Sequence, residues 1–165
     1  MAERPLVAIT MGDPAGIGAE VTARALDDEW VYQKCRPFVV GSTAAMNEAL
    51  RLIDSSASAR AVHAIEDVKG RPGSIDVLDL ENLDYGSIPK GEVSEAAGRA
   101  SVEWVLEAGE LAAAGRIQAI VTAPINKEAC SLAGYKDIGH MEIFQSQTDS
   151  KEVATMLVAG TLRVV

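Results

Sequence analysis

Apolar residues along the chain alternate between short runs typical of buried strands and longer stretches with helical spacing. Residues 5–10 form a run of strand formers, followed by a glycine-containing loop and a helical stretch at residues 19–26. A second run at residues 37–41 precedes a helix whose N-cap is predicted at Ser42. We expect that helix to bury one face, formed by Ala45, Ala49, Leu52 and Ile53. Two successive strand–helix units favour an α/β fold with a mainly parallel sheet.

The hydrophobic pattern is weak between residues 54 and 90, and a clearly helical stretch follows it. Weak strands are predicted at residues 59–65 and 75–80, within a stretch from 54 to 90 that we interpret as an edge or connecting region. Residues 94–114 predict a helix that stops at Gly115. Its apolar positions recur every three or four residues, at Ala97, Ala100, Trp104, Ala108 and Leu111.

The last third of the chain places polar residues directly after a strand. Residues 117–122 predict a buried strand that Pro124 cannot continue. Ligands of open α/β sheets bind beyond the carboxyl ends of the strands, so Lys127 lies where a site is expected. A short helix is predicted from Gly139, and residues 153–159 and 162–165 predict a β-hairpin.

Composition narrows the class of protein. The chain has 165 residues, 48% of them apolar, which is enough for one domain or part of a larger one. Its net charge of −9 disfavours nucleic acid and anionic membranes as partners. No run of about 18 apolar residues occurs, and Cys35 and Cys130 match no metal or disulfide spacing. We therefore expect a cytoplasmic protein with free thiols.

The stretch ITMGDPAGIGAE, residues 9–20, is the first candidate for chemistry. Its glycines at 12, 16 and 18 leave backbone N–H groups and a helix N-terminus open to a ligand. Their spacing is neither the dinucleotide-binding fingerprint nor a P-loop. The alternative is a tight strand-to-helix turn in which Asp13 caps the loop and Pro14 stiffens it.

Lys127 and His140 are the other candidates. A lysine at the end of a strand can hold a phosphate or carboxylate or help to move a proton, although most lysines are simply solvated. His140 follows a glycine in a weakly patterned segment and is a candidate for substrate contact or proton transfer. Glu142 could join it, but a metal site formed wholly by this chain is not expected.

Four motifs together resemble the 4-hydroxythreonine-4-phosphate dehydrogenase family of pyridoxal phosphate biosynthesis. They are ITMGDPAGIGAE, GEVSEAAGRASVEWV, IVTAPINKEACSLAGY and GHMEIFQ, in this order. The resemblance implies a three-layer α/β/α fold similar to that of isocitrate and isopropylmalate dehydrogenases, with two domains and a homodimeric assembly. Residues 1–125 would belong to the first domain and residues 126–165 to the start of the second.

The resemblance also implies an activity. Enzymes of this family use NAD and a divalent metal to oxidise 4-phosphohydroxy-L-threonine, and decarboxylation then gives 3-amino-2-oxopropyl phosphate. One alternative is a related dehydrogenase of D-threonate or D-erythronate 4-phosphate in sugar-acid catabolism. Another alternative, from a different class, is an inactive binding or dimerisation module.

By position, the resemblance assigns roles to individual residues. His140 and Met141 would bind the substrate, Lys127 would be catalytic, and the cofactor contacts would be Asp13, Gly16, Ile17 and Gly18. The family has threonine where this chain has Met141, which replaces a hydroxyl donor with a thioether. The family's metal ligands would fall beyond residue 165. The sequence is therefore expected to be an amino-terminal half that is inactive alone.

Overall fold

A five-stranded parallel sheet forms the centre of the protein, of which the computed structural model describes residues 4–165. The strands are β1 (Leu6–Thr10), β2 (Arg36–Val40), β3 (Ser58–Val62), β4 (Ser74–Leu78) and β5 (Ala119–Thr122). Their order across the sheet is β3-β4-β2-β1-β5, and every neighbouring pair is parallel. This arrangement confirms the predicted α/β fold.

The register aligns the carboxyl ends of the central strands. Thr10, the last residue of β1, lies opposite Val40 of β2 on one side and Thr122 of β5 on the other. The loops that follow β1 and β5 therefore emerge side by side at one edge of the sheet. This is the edge at which ligands bind in open α/β folds.

Within residues 4–165, six α-helices connect or cover the strands. They are α1 (Gly18–Leu26), α2 (Glu29–Lys34), α3 (Thr43–Leu52), α4 (Glu95–Ala113), α5 (Lys127–Leu132) and α6 (His140–Thr148). Helix α1 packs against α2 and α3, whereas α4 packs on β1, β2 and β5 and also against α5 and α6. The hydroxyl of Ser42 accepts a hydrogen bond from the N–H of Ala45 at 3.3 Å, which confirms the predicted N-cap of α3.

The structure corrects four details of the sequence analysis. The predicted buried strand at residues 117–122 is the mostly exposed strand β5, because it lies at the edge of the sheet beside β1. Helix α3 buries Ala45, Met46, Ala49 and Leu50, while Leu52 is 55% exposed. Met46 and Ala49 lie at the centre of the buried face, so Leu52 falls at its margin. Strand β3 ends at Val62 rather than at residue 65, because residues 65–67 form a 3₁₀ turn. Helix α2 was not predicted, since its six residues are too few for a periodic pattern.

A second apolar cluster joins α4 to the two helices that follow β5. Its buried members are Val102, Val105, Cys130 and Ile143. Gly98 of α4 lies against the backbone of α5, where an added Cβ would come within 2.7 Å of the Cys130 nitrogen. Helices α5 and α6 are therefore held by α4, and the division of the chain at residue 125 stays a prediction.

The predicted hairpin is present at the end of the sequence, but its first strand begins at residue 157 rather than at 153. Strand β6 (Leu157–Ala159) pairs antiparallel with β7 (Leu162–Val164), and both strands are exposed along their length. Cys35 and Cys130 are free thiols, as expected. None of the helices in the described part of the chain is both long and apolar enough to cross a bilayer.

Candidate functional site

The glycine loop, residues 11–17 between β1 and α1, is packed against the segment that follows β5. The N–H of Asp13 donates a hydrogen bond of 2.8 Å to the carbonyl oxygen of Pro124. Gly12 has a φ of +76°, and an added Cβ there would overlap the carbonyl of Pro124 and lie 2.9 Å from the carbonyl carbon of Ala123. Glycine is required at this position for both reasons.

The other two glycines of this region, Gly16 and Gly18, differ in whether the structure leaves room for a side chain. A Cβ on Gly18 would overlap the carbonyl oxygen of Met11, so the first residue of α1 also needs a bare backbone. Gly16 has no positive φ, and a Cβ there would meet nothing closer than 3.4 Å. Two of the three glycines therefore serve close packing at this edge of the sheet, and Gly16 is not constrained in this way.

Asp13 has a structural role in the loop. Its Oδ1 accepts a hydrogen bond of 2.9 Å from the N–H of Ala15, and the residue is only 8% exposed. The capping role considered as an alternative in the sequence analysis is therefore present. A cofactor contact by Asp13 stays a prediction.

Lys127 is the first residue of α5. The side chain of Asn126 caps this helix by accepting hydrogen bonds from the N–H groups of Glu128 and Ala129, at 3.0 and 3.1 Å. The contact between Gly98 and the backbone of α5 fixes the helix laterally. The side chain of Lys127 is exposed. The backbone of its helix is held by the Asn126 cap and by the contact with Gly98.

His140 and Met141 begin α6, whose N-cap is Gly139. Glycine supplies no side-chain cap, and the carboxylate of Glu142 folds back to the space that a Cβ on Gly139 would fill. A glutamate three residues after the N-cap stabilises the positive end of a helix in this way. Met141 is 40% exposed, and its Sδ accepts a hydrogen bond of 2.9 Å from the Thr155 hydroxyl.

Lys127, His140, Met141 and Glu142 line one hollow of about 410 Å³, together with Pro124, Ile125 and Gly139. We call it the Lys127–His140 hollow. The Nε2 of His140 is shielded from solvent and has no hydrogen-bond partner within residues 4–165. Burial lowers the pKa of His140 below its ordinary value of 6.5, and the negative charge of Glu142 partly opposes this shift. The imidazole is therefore mainly neutral at pH 7, and it lines the same hollow as Lys127.

Gly16 and Ile17 line a different hollow, of about 500 Å³, between α1 and α3. We call it the α1–α3 hollow; the segment from Tyr85 to Gly91 closes one side of it. Gly18 is buried and lines neither hollow. The structure thus brings Lys127 and His140 together, and it joins them to the glycine loop through the Asp13–Pro124 bond rather than through one shared cavity.

Four polar residues of the α1–α3 hollow were missed by the sequence analysis: Glu20, Glu48, Tyr85 and Lys90. Tyr85 and Lys90 fall in the weakly patterned stretch from 54 to 90. The only local sign was a lysine between Pro89 and Gly91, which is typical of an exposed turn. Nothing in the spacing indicated that this turn contacts the glycine loop.

The described part of the chain offers no cluster of side chains that could bind a metal ion. Within residues 4–165 no group of three or more His, Cys, Asp or Glu side chains is placed to hold one. Zinc sites use three or four protein ligands of this kind. Hydrogen bonding and charge are the observations that describe the two hollows.

Comparisons with known proteins agree on one family. The family described as "Pyridoxal phosphate biosynthetic protein PdxA" matches residues 33–165. A 4-hydroxythreonine-4-phosphate dehydrogenase of Desulforapulum autotrophicum is 39% identical and is matched over 98% of this chain and 48% of its own length. A D-threonate 4-phosphate dehydrogenase of Cupriavidus necator is 40% identical, with the same coverage.

Solved structures agree with these sequence comparisons. The crystal structure of a 4-hydroxythreonine-4-phosphate dehydrogenase from Burkholderia phymatum matches with a TM-score of 0.93 and 38% identity, over 98% of this chain and 49% of that one. A putative 4-hydroxythreonine-4-phosphate dehydrogenase from Salmonella typhimurium matches with a TM-score of 0.88 and 34% identity, over 98% of this chain and 50% of that one. The chain spans about half the length of the relatives that it matches.

Proposed function

Because the chain belongs to the PdxA family of pyridoxal phosphate biosynthetic proteins, we propose that it functions in an NAD-dependent dehydrogenase of a four-carbon hydroxy acid 4-phosphate. The observation that carries this proposal is the Lys127–His140 hollow, at the carboxyl edge of the sheet. It combines an exposed ammonium group with a buried, unpartnered imidazole nitrogen. A phosphorylated hydroxy acid needs both a cation and a hydrogen-bond acceptor for its hydroxyl group.

Lys127 attracts an anionic group of the substrate. Its ammonium group is a compact charge with three donors, which suits a phosphate or a carboxylate. The N-terminus of α6, whose N-cap Gly139 provides no side-chain hydrogen bond, lines the same hollow and adds its backbone N–H groups to the positive field. The negative charge of Glu142 weakens this positive field. A bound anion must therefore interact with Lys127 and the helix N-terminus strongly enough to outweigh its repulsion by Glu142.

His140 receives the proton of the substrate hydroxyl. A neutral imidazole can accept a hydrogen bond at Nε2 and then take the proton as the alcohol becomes a ketone. NAD, when bound, supplies the acceptor for the hydride that leaves the same carbon. The product is a β-keto acid, whose carboxylate carbon leaves as carbon dioxide with the bonding electrons remaining on the substrate.

The described residues fit a nicotinamide cofactor better than they fit a metal. The exposed turn at Gly16 and Ile17 opens on a hollow large enough for part of a dinucleotide. The divalent metal implied by the resemblance has no ligand set among residues 4–165, and no step of this proposal uses one. The homodimer and the cytoplasmic location implied by the resemblance stay predictions.

The substrate we favour is 4-phosphohydroxy-L-threonine, which gives 3-amino-2-oxopropyl phosphate after decarboxylation, as a step of pyridoxal 5'-phosphate biosynthesis. D-threonate 4-phosphate is the second candidate, because relatives carrying the two names are equally similar, at 39% and 40% identity. The apolar side chain of Met141 in the hollow supports this second candidate. It removes a hydroxyl donor from the place where the substrate's polar groups are expected.

The test is NADH formation, with each of the two phosphorylated acids, by the full-length protein of which this chain is the expected amino-terminal half. We expect turnover of at least one acid, and a decrease in kcat/KM of at least about tenfold for His140→Ala, or about 1.4 kcal/mol. A variant at a distant exposed residue, Lys34→Ala on α2, serves as the control and should keep the wild-type rate. The proposal fails if neither acid is oxidised.

A further inference from the structure

Three arginine side chains line one hollow at the amino-terminal edge of the sheet, the edge opposite to the Lys127–His140 hollow. They come from the starts of three neighbouring strands. Arg4 precedes β1, Arg36 is the first residue of β2, and Arg116 precedes β5. The parallel register of β2, β1 and β5 brings the three side chains together, although they are far apart in the sequence. We call this space, of about 400 Å³, the arginine hollow.

Backbone carbonyl groups position two of the three guanidinium groups. Nη1 of Arg4 donates a hydrogen bond to the carbonyl oxygen of Tyr32. Nη2 of Arg36 donates one of 2.6 Å to the carbonyl oxygen of Val68, and its charge lies at the wall of the hollow. A guanidinium group has five N–H donors, so the bond to Tyr32 leaves other donors of Arg4 for a ligand. Because a carbonyl oxygen is uncharged, this bond also leaves the positive charge of Arg4 uncompensated.

Arg116 is paired with a carboxylate that a ligand can replace. Its Nη2 contacts Oε1 of Glu66, and the two side chains are 44% and 68% exposed. Such an exposed ion pair contributes little to stability, so an anion of higher charge can take the place of Glu66. Beside Arg116, Oε1 of Gln118 accepts a hydrogen bond of 2.8 Å from the N–H of Leu6. This bond fixes the amide and leaves its Nε2 donors without a partner among residues 4–165.

The charge and the donors of the arginine hollow suit a phosphate group. Guanidinium groups bind phosphate and carboxylate oxygens, but a carboxylate offers two oxygens and a phosphate monoester offers three to the three arginines. A hollow of about 400 Å³ is larger than a phosphate group and lies within the range of small-molecule sites. Pro5 and Leu6 provide apolar surface for the rest of such a molecule. The net charge of −9 disfavours nucleic acid and anionic membranes as sources of the phosphate.

We propose that the arginine hollow binds the phosphate monoester of a small organic molecule. Arg4 and Arg116 bind the phosphate oxygens, Arg36 adds its positive charge, and Gln118 donates a further hydrogen bond. The organic part of the molecule lies against the apolar start of β1. This site goes beyond the proposed function, since the substrate and the cofactor of that function are assigned to the other edge of the sheet.

The test is calorimetric titration of the full-length protein with phenyl phosphate, a phosphate monoester with an apolar body, in phosphate-free buffer. All samples carry Lys127→Ala, which weakens anion binding at the other edge of the sheet. We expect phenyl phosphate to bind more tightly than benzoate, which carries a carboxylate on the same ring. Adding Arg4→Gln and Arg116→Gln together should weaken phenyl phosphate at least about tenfold, because two of the three arginine contacts are lost. Arg99→Gln is the matched control and should leave the affinity unchanged, since Arg99 is also exposed and paired with a glutamate.

Each outcome of this titration supports or overturns the assignment. Arg4 and Arg116 are exposed, so their variants should fold, and thermal denaturation checks this. The assignment is overturned if phenyl phosphate does not bind in the Lys127→Ala background, or if the two arginine substitutions leave its affinity unchanged. Benzoate binding of equal affinity would contradict a phosphate site, and an equal loss in Arg99→Gln would indicate general charge attraction instead of a site. NADH formation is measured separately, so the proposed function stands or fails independently of these results.

Discussion

The N–H of Asp13 donates a hydrogen bond of 2.8 Å to the carbonyl oxygen of Pro124. This bond joins the loop after β1 to the segment after β5, two stretches that lie far apart in the sequence. Lys127 follows Pro124 by less than one helical turn, so the glycine loop and the lysine are held as one unit. The relative position of the two hollows depends on this contact.

Gly12→Ala is expected to break that contact. An alanine would have to keep a φ of +76°, and its Cβ would overlap the Pro124 carbonyl. We expect a loss of about 2 kcal/mol or more in the free energy of unfolding, measured by urea denaturation. Gly16→Ala is the control, because that position has ordinary φ and free space for a Cβ. Equal stability of the two variants would contradict the account of the loop.

The position of α5 depends on Gly98. A Cβ at this residue would overlap the backbone of Ala129, which has no alternative position. Gly98→Ala should lower stability by about 1–3 kcal/mol and also weaken substrate binding, because it displaces the helix that begins at Lys127. Denaturation and a substrate titration on the same variant measure the two effects.

Gly109→Ala is the matched control for Gly98→Ala, since both residues lie inside α4. A Cβ at Gly109 would meet only the side-chain amide of Gln147, which can shift if it gives up its 2.7 Å hydrogen bond to the Leu106 carbonyl oxygen. Alanine also favours the helix by up to about 1 kcal/mol over glycine. We expect stability to change by less than about 1 kcal/mol and substrate binding to stay at the wild-type value. If Gly109→Ala also lowers stability strongly, side-chain crowding along α4, rather than the backbone contact at Gly98, would explain the loss in Gly98→Ala.

The pH dependence of kcat/KM should report the environment of His140. Burial lowers the pKa of this imidazole below 6.5, and Glu142 raises it again in part. The catalytically competent neutral form therefore persists below pH 6.5, and activity should decrease only at lower pH. Glu142→Gln removes the opposing charge, so its acidic limb should move to still lower pH. A shift of that limb to higher pH would contradict the assignment.

The same shift has a consequence for stability. Below pH 6.5 the unfolded chain binds a proton at His140 that the folded protein binds less readily. Stability contributed by this residue is therefore present above pH 6.5 and decreases as the pH falls towards the lowered value. Denaturation midpoints measured between pH 7 and pH 5 should fall less for His140→Gln than for wild-type protein.

Asp76 of β4 should contribute strongly to stability, because its carboxylate is only 1% exposed. It accepts hydrogen bonds from Arg60 and from the N–H groups of Lys69 and Gly70, at 2.6 and 3.0 Å for the two amides. Asp76→Ala leaves those donors unpaired, and we expect a loss of about 3 kcal/mol in the free energy of unfolding. Glu95→Ala breaks an exposed helical ion pair with Arg99 and should cost less than about 1 kcal/mol.

The elements with strong local patterns were predictable from the sequence. Strand β1 is an apolar run, helix α4 has clear apolar periodicity, and Ser42 is the predicted N-cap of α3. Helix α2 was missed because six residues give no periodic pattern. Local sequence therefore specifies elements of ordinary length, and short elements depend on tertiary packing.

The candidate site was predictable only in part. Lys127 and His140 were singled out by position and by resemblance, and the structure brings them to one hollow. The second hollow was not predictable, because Glu48 and Lys90 come from segments with no local sign of function. Glu48 and Lys90 come together because α3 and the turn at residue 90 both pack around the glycine loop. Such tertiary packing cannot be predicted from the spacing of residues in the sequence.

The most direct test of the account is the affinity of the full-length protein, of which this chain is the expected amino-terminal half, for its phosphorylated substrate, measured by titration calorimetry. We expect 4-phosphohydroxy-L-threonine or D-threonate 4-phosphate to bind wild-type protein and the Lys34→Ala control equally. Lys127→Ala should bind the same acid at least about tenfold more weakly, or about 1.4 kcal/mol. Wild-type protein that binds neither acid, or a Lys127→Ala variant with wild-type affinity, would contradict the claim that this hollow holds the substrate.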